Sequence, residues 1–113
     1  QHYIKRLAGI PGDTLRIDSP KLFINGPLAE EAVFRRVMSG ENGYRGYANP
    51  PGALYLSTPD ESFTLPSKTY FSLGDNSYQS SDSRYWGVVP EQNIAGKGLF
   101  VYWPFSKRWG LIR

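Results

Sequence analysis

Apolar positions fall in short runs along this chain, separated at close intervals by Gly, Pro, Asn and Asp, which predicts a mostly β fold with little helix. "HYIKRLAGI" reads as a first strand closed by the turn "PGD" at residues 11–13, and "TLRID" as a second. In "KLFINGPLA", Asn25 and Gly26 supply the two positive-φ residues of a type I′ hairpin turn. "EEAVFRRVM" fits a short helix or an extended strand, its apolar positions being too few to decide. Residues 39–52, "SGENGYRGYANPPG", read as loop. Beyond them "ALYLS", "SFTL" and "TYFSL" read as short strands with Pro59 and Pro66 near their ends, and "GVVP" as another. "IAGKGLFVYWPF" reads as a long strand with a bulge at Gly96 and Gly98. No repeats or low-complexity tracts interrupt the pattern.

Composition narrows the picture. With 113 residues, 40% of them hydrophobic and 15% aromatic, the chain supports one core and one domain. Lys and Arg outnumber Asp and Glu by 13 to 10, but apart from "FRR" and "SKR" the basic residues are scattered, so nucleic acid is not the expected partner. There is no cysteine, which excludes disulfides and thiolate metal sites, and the single histidine, His2, makes zinc an unsuitable cofactor. No apolar run reaches the ~18 residues of a membrane span, and the N-terminus has no basic-apolar-small signal peptide. The chain opens without Met and directly on a strand, which suggests that Gln1 marks a cut inside a longer protein.

One segment stands out for chemistry. "GDNSYQSSDSR", residues 74–84, follows the strand "TYFSL" and crowds turn formers, hydroxyls and both signs of charge into eleven positions. Such residues serve any surface loop. Their order says more: Asp82 and Arg84 are two apart, where a tight turn pairs them, and Ser80, Ser81 and Ser83 set hydroxyls around them. A buried pair of that kind fixes the shape of a loop.

"YIKRLAGIPGD" (residues 3–13) and "GDNSYQSSDSR", followed by "WGVVP", resemble the two C-terminal signature motifs of the bacterial type I signal peptidases, which mitochondrial inner-membrane peptidases share. The resemblance spans nearly the whole chain, with residues 19–68 matching only as a variable insert between core segments 1–18 and 69–113. It implies an antiparallel, coiled or barrel-like sheet of the Ser/Lys type with an inserted β-rich segment; no cofactor is expected. It also implies a serine endopeptidase in which a lysine, here Lys5, is the general base. A lysine of ordinary pKa near 10.4 is neutral in only roughly one molecule in a few thousand at pH 7. The base must therefore be depressed by about three units, on the order of 4 kcal/mol, which desolvation by neighbours such as Ile4 and Leu7 would supply. Arg6, on the opposite face of the strand, is expected to stay in water.

In the family the serine matching Ser80 bonds the lysine, and the acid and arginine matching Asp82 and Arg84 hold the loop. Ser81 and Ser83 are left to turn bonding. Substrate binding falls to Tyr3 and Ile4, which match the strand against which a signal peptide lies extended, with small pockets for alternate side chains. The chain departs from the family at Ser77 and Tyr78, where an Arg-Asp pair is common, so the loop rim is expected to differ in charge. The family's nucleophilic serine precedes the lysine in a Ser-Met motif, and only four residues precede Lys5, none of them serine. This chain is thus expected to carry the lysine half of the dyad and to be inactive alone.

The partners implied are signal peptides of exported preproteins and the membrane lipid surface, with the catalytic domain on the extracytoplasmic side of the cell membrane. "LFVYWPFSKRWGLIR", with Trp103, Phe105 and Trp109, fits either a bilayer interface or a final hairpin. Two rivals remain: a self-cleaving repressor of the same Ser/Lys scaffold, and a non-catalytic peptide-binding relative.

Overall fold

The computed structural model describes residues 5–79, 81–92 and 101–102, with Lys5, Gln79, Val101 and Tyr102 described by backbone alone. Strand β1 (Lys5–Gly9) runs antiparallel to β5 (Thr69–Gly74), placing Lys5 opposite Gly74 and Arg6 opposite Leu73, with a register irregularity between Leu7 and Gly9. β6 (Val89–Pro90) joins the far side of β5, and β7 (Val101–Tyr102) joins β1 in parallel, giving the order β6-β5-β1-β7. Positions 70–74 of β5 are all buried, as a strand paired on both edges and covered on both faces requires.

β2 (Thr14–Asp18) lies between β3 (Lys21–Ile24) and β4 (Ser62–Thr64) in an antiparallel three-stranded sheet. Here the period-two alternation is clean. Leu15 and Ile17 face Ile24 and Leu22 across the β2–β3 pair on the buried side, while on the outer face the Arg16 guanidinium lies 4.2 Å from the centre of the opposing Phe23 ring. The two sheets and helix α1 (Ala32–Met38) share one core, in which Ala8, Phe71 and Leu73 meet Leu15, Ile17, Leu22, Phe34, Val37 and Tyr47. A mostly β fold of antiparallel sheets is therefore what the sequence makes, the β1–β7 pair being parallel. Among the described residues the sheets do not close into a barrel.

The two turn motifs bond each other. Asn25 and Gly26 have φ of 58° and 107°, and the chain folds back with Ile24 N–H on Pro27 O and Ala29 N–H on Leu22 O. The Asp13 carboxylate of the "PGD" turn accepts the Ile10 N–H and the Asn25 amide, and Asn25 Oδ1 accepts the Thr14 N–H. The undecided segment is a helix because Phe34 and Val37 fall one turn apart on the core side, with Arg35 and Arg36 near its C-terminal carbonyls.

"ALYLS" is not a strand. Pro50, Pro51 and Gly52 precede it, Leu56 takes a left-handed φ of 57°, and its N–H groups bond Arg84 O and the Glu61 carboxylate rather than a neighbouring strand. Leu54 is left 71% exposed, while Tyr55 packs edge-on against Phe63 and Phe71. The proposed bulge at Gly96 and Gly98, and Trp103, Phe105 and Trp109, lie outside the described residues.

Gly46 is needed where it is. Its φ is 82°, and a Cβ there would collide with the Pro20 ring and its backbone. Gly46→Ala is expected to lower stability by about 2–4 kcal/mol, from left-handed strain and overpacking together, read as a fall in urea midpoint. An unchanged midpoint would show that the Pro20 turn can move aside.

Candidate active site

The segment after β5 is fixed from both ends. At the near end Gly74 N–H donates to Asp82 Oδ2 at 2.8 Å, and at the far end Asp82 Oδ1 accepts the Arg84 N–H at 3.1 Å, capping the single turn α2 (Ser83–Trp86). Ser83 Oγ accepts the Ser72 N–H at 2.9 Å, so this hydroxyl ties α2 to β5 rather than serving only its own turn. Between the two ends the chain makes a 3-10 turn, Ser77–Gln79.

Arg84 is fully buried and uses all five of its guanidinium donors. Nε donates to Asp82 Oδ1 at 2.8 Å and one Nη2 hydrogen to Asp82 Oδ2 at 3.0 Å, forming the bidentate pair. The other Nη2 hydrogen goes to Ser77 O at 2.8 Å, and the two on Nη1 to Ser77 Oγ at 2.8 Å and Ala48 O at 2.9 Å. Asp82 is also 0% exposed, so both charges have left water and depend on this set of bonds.

Ser77 does not belong to the rim. It is 4% exposed and its Oγ accepts from Ala48 N–H as well as from Arg84, so the departure from Arg at this position changes the inside of the loop. Tyr78 is on the outside, 46% exposed, with the Arg45 guanidinium 4.3 Å from its ring centre and its hydroxyl bonded to Ser19 Oγ.

β1 brings the backbone of Lys5 to the start of this loop through the Lys5–Gly74 register. At Lys5 and Arg6 both backbone edges of β1 are occupied, by β5 and by β7. Arg6 is not left in water: its Nε donates to both oxygens of Asp75 at 3.0 and 2.9 Å, Asp75 lying two residues beyond Leu73, the partner of Arg6 in the ladder, and so on the same face. Burial pushes the Asp75 carboxyl above its ordinary range, opposed by the bond and charge of Arg6. Tyr47, buried beside both ion pairs, is pushed well above the usual phenol range, chiefly by burial and then by the Asp75 charge, and remains neutral.

Tyr3, Ile4, Ser80 and the side chain of Lys5 lie outside the described residues. What the sequence reading missed is the contribution of the loop 39–52, whose Ala48 bonds Ser77 and Arg84 of the signature segment, and the Arg6–Asp75 pair. For the pair a signal exists: an arginine and an acid each adjoin one of two strand positions, Lys5 and Gly74, that face one another. Among the described residues no group of three or more His, Cys, Asp or Glu side chains is placed to hold a metal, and no helix is long and apolar enough to cross a membrane.

Residues 1–103 match the family model described as signal peptidase, peptidase S26. Similar proteins include the signal peptidase I of Pseudomonas fluorescens, 37% identical over 94% of this chain and 45% of the relative, and signal peptidase I S of Bacillus subtilis strain 168, 35% identical over 94% of this chain and 54% of the relative. The chain thus spans about half the length of the curated relatives it matches. Among solved structures, a signal peptidase I from Enterococcus faecalis V583 superposes with a TM-score of 0.54 at 30% identity, covering 78% of this chain and 74% of that one. A family match across the signature loop and both strands that carry it, joined to a structural likeness at 30% identity, means that this chain belongs to the peptidase S26 signal peptidase family.

Proposed function

We propose that the complete protein is a membrane-associated serine endopeptidase that removes signal peptides from exported preproteins on the extracytoplasmic side of the membrane, with Lys5 as general base. The observation that carries this reading is the buried Asp82–Arg84 clamp, which spans a loop whose first residue faces Lys5 across the β1–β5 ladder. In this reading the nucleophilic serine belongs to the part of the relatives that this chain does not span. Neutral Lys5 Nζ takes the proton of that serine as its Oγ attacks the scissile carbonyl, then returns it to the leaving amine; water, deprotonated by the same base, releases the acyl group. Ser80 orients the lysine, and Asp82 with Arg84 holds Ser80 in place. Tyr3 and Ile4 line the strand that receives the peptide. Because β1 is already paired on both edges at Lys5 and Arg6, an added peptide strand would use the backbone upstream of Lys5.

Steady-state kinetics of Ser80→Ala in the complete protein test the assignment. The expected result is a fall of about 10²-fold or more in kcat with KM changed little, because the base is disturbed and the peptide-binding strand is not. A rise in KM with kcat intact would instead make Ser80 a substrate contact.

A further inference from the structure

We propose that residues 46–49, "GYAN", together with Ser77, form a clasp that positions the catalytic loop, so that part of the variable insert belongs to the active-site apparatus; the proposal rests on the Ser/Lys reading above. Every residue of the segment is hydrogen-bonded to a distant part of the chain. Gly46 N–H donates to Val37 O in α1 and Tyr47 N–H to Pro20 O in the β2–β3 turn. Asn49 bridges two stretches of chain, the end of β2 and the segment at Leu56: its Nδ2 donates to Ile17 O at 2.7 Å and Leu56 O at 2.9 Å, and its Oδ1 accepts the Ser19 N–H at 3.1 Å. Held on that side, Ala48 offers both its backbone groups to the loop, its N–H to Ser77 Oγ at 3.0 Å and its carbonyl to Arg84 Nη1 at 2.9 Å.

The Asp82 carboxylate ties the loop to β5 through the Gly74 N–H, and other bonds hold it to the insert. Three of the five guanidinium bonds go elsewhere, two to Ser77 and one to Ala48, and these decide where the Ser77–Gln79 turn sits. The next residue is Ser80. Ser77 suits the clasp because a hydroxyl oxygen accepts two hydrogen bonds. In this chain the Ser77 hydroxyl takes one bond from Ala48 and one from Arg84, and so joins the insert to the buried ion pair. Ser77 and Asn49 are accordingly positioning residues, acting on Lys5 only through the loop.

In the complete protein, Ser77→Ala is expected to lower kcat on a signal-peptide substrate roughly tenfold or more, part of what a general base contributes, while KM stays within about twofold. The rising limb of the pH–kcat profile should be displaced as the lysine loses its oriented partner, and Ser77→Thr, which keeps the hydroxyl, should restore both. Ser77→Cys, of similar size with a weak acceptor, gives the same reading should the alanine variant fail to fold. A drop in melting temperature with kcat and pH profile of the parent in Ser77→Ala or Ser77→Cys would overturn the proposal, as would Ser77→Thr failing to restore the profile. Lys5→Ala measured alongside separates the levels. Activity that survives it overturns the dyad reading and the clasp with it, whereas an inactive Lys5→Ala beside an unaffected Ser77→Ala overturns the clasp alone.

Discussion

Lys5→Ala in the complete protein is expected to abolish signal-peptide cleavage, with a loss of about 10³-fold or more in kcat and a folded protein of near-parent melting temperature. Removing one member of a nucleophile–base unit costs about as much as removing the whole, because the partner is unreactive without it. The lysine's backbone is held by β5 and β7, so a shorter side chain at that position leaves the ladder intact. Lys5→Arg should be equally inactive, since a guanidinium stays protonated and offers no acceptor for the serine proton. Rates of the parent should rise with pH as Lys5 deprotonates, and the 113-residue chain by itself should show no turnover. Near-parent turnover by Lys5→Ala, or cleavage by the isolated chain, would remove Lys5 from the mechanism.

Much of the scaffold was legible because local chemistry decides it. Alternation at Leu15, Ile17, Leu22 and Ile24 specifies which face of the second sheet is buried, and the Asn25-Gly26 pair specifies a turn that few other residues can make. Asp82 and Arg84 are two residues apart, so their pairing needs only a turn, and the structure has it. Local pattern does not decide the segments whose partners lie far away in the chain. "ALYLS" has the composition of a strand, but its N–H groups at Tyr55 and Ser57 are taken by Arg84 O and the Glu61 carboxylate, 29 and 4 residues away from the bonded positions. Strand alternation tells which face Arg6 takes and not what covers that face; Asp75, 69 residues away in the chain, is its diagonal neighbour only once β1 and β5 pair in the observed register. Ser77 and Ala48 are 29 residues apart, and nothing in the local pattern of "GYANPPG" distinguishes a segment that docks on a buried arginine from an ordinary loop. Its proline- and glycine-rich composition gives the turns and says nothing of their partner.

Arg84→Ala is expected to be the most destabilising single change in the described part of the molecule, costing about 3–5 kcal/mol, the range for breaking a buried ion pair, out of a total stability of about 5–15 kcal/mol. The Asp82 carboxylate would remain at 0% exposure with the Gly74 and Arg84 N–H groups as its partners and no cation, while Ser77 O and Ala48 O would each lose their bond to the guanidinium. The geometry also decides the outcome of Arg84→Lys. If the cation alone mattered, lysine would nearly suffice; but four separate groups at 2.8–3.0 Å are served by a planar fork of five donors, and an ammonium with three donors at one point cannot reach Asp82, Ser77 and Ala48 together. Arg84→Lys should therefore recover less than half of what Arg84→Ala loses, by urea denaturation, and should leave turnover of the complete protein low. Asp82→Asn should also destabilise, because its amide hydrogens face donors at Gly74 and Arg84. Near-parent stability of Arg84→Lys would reduce the clamp to simple charge neutralisation, and a parent midpoint in Arg84→Ala would show that the pair bears no part of the fold.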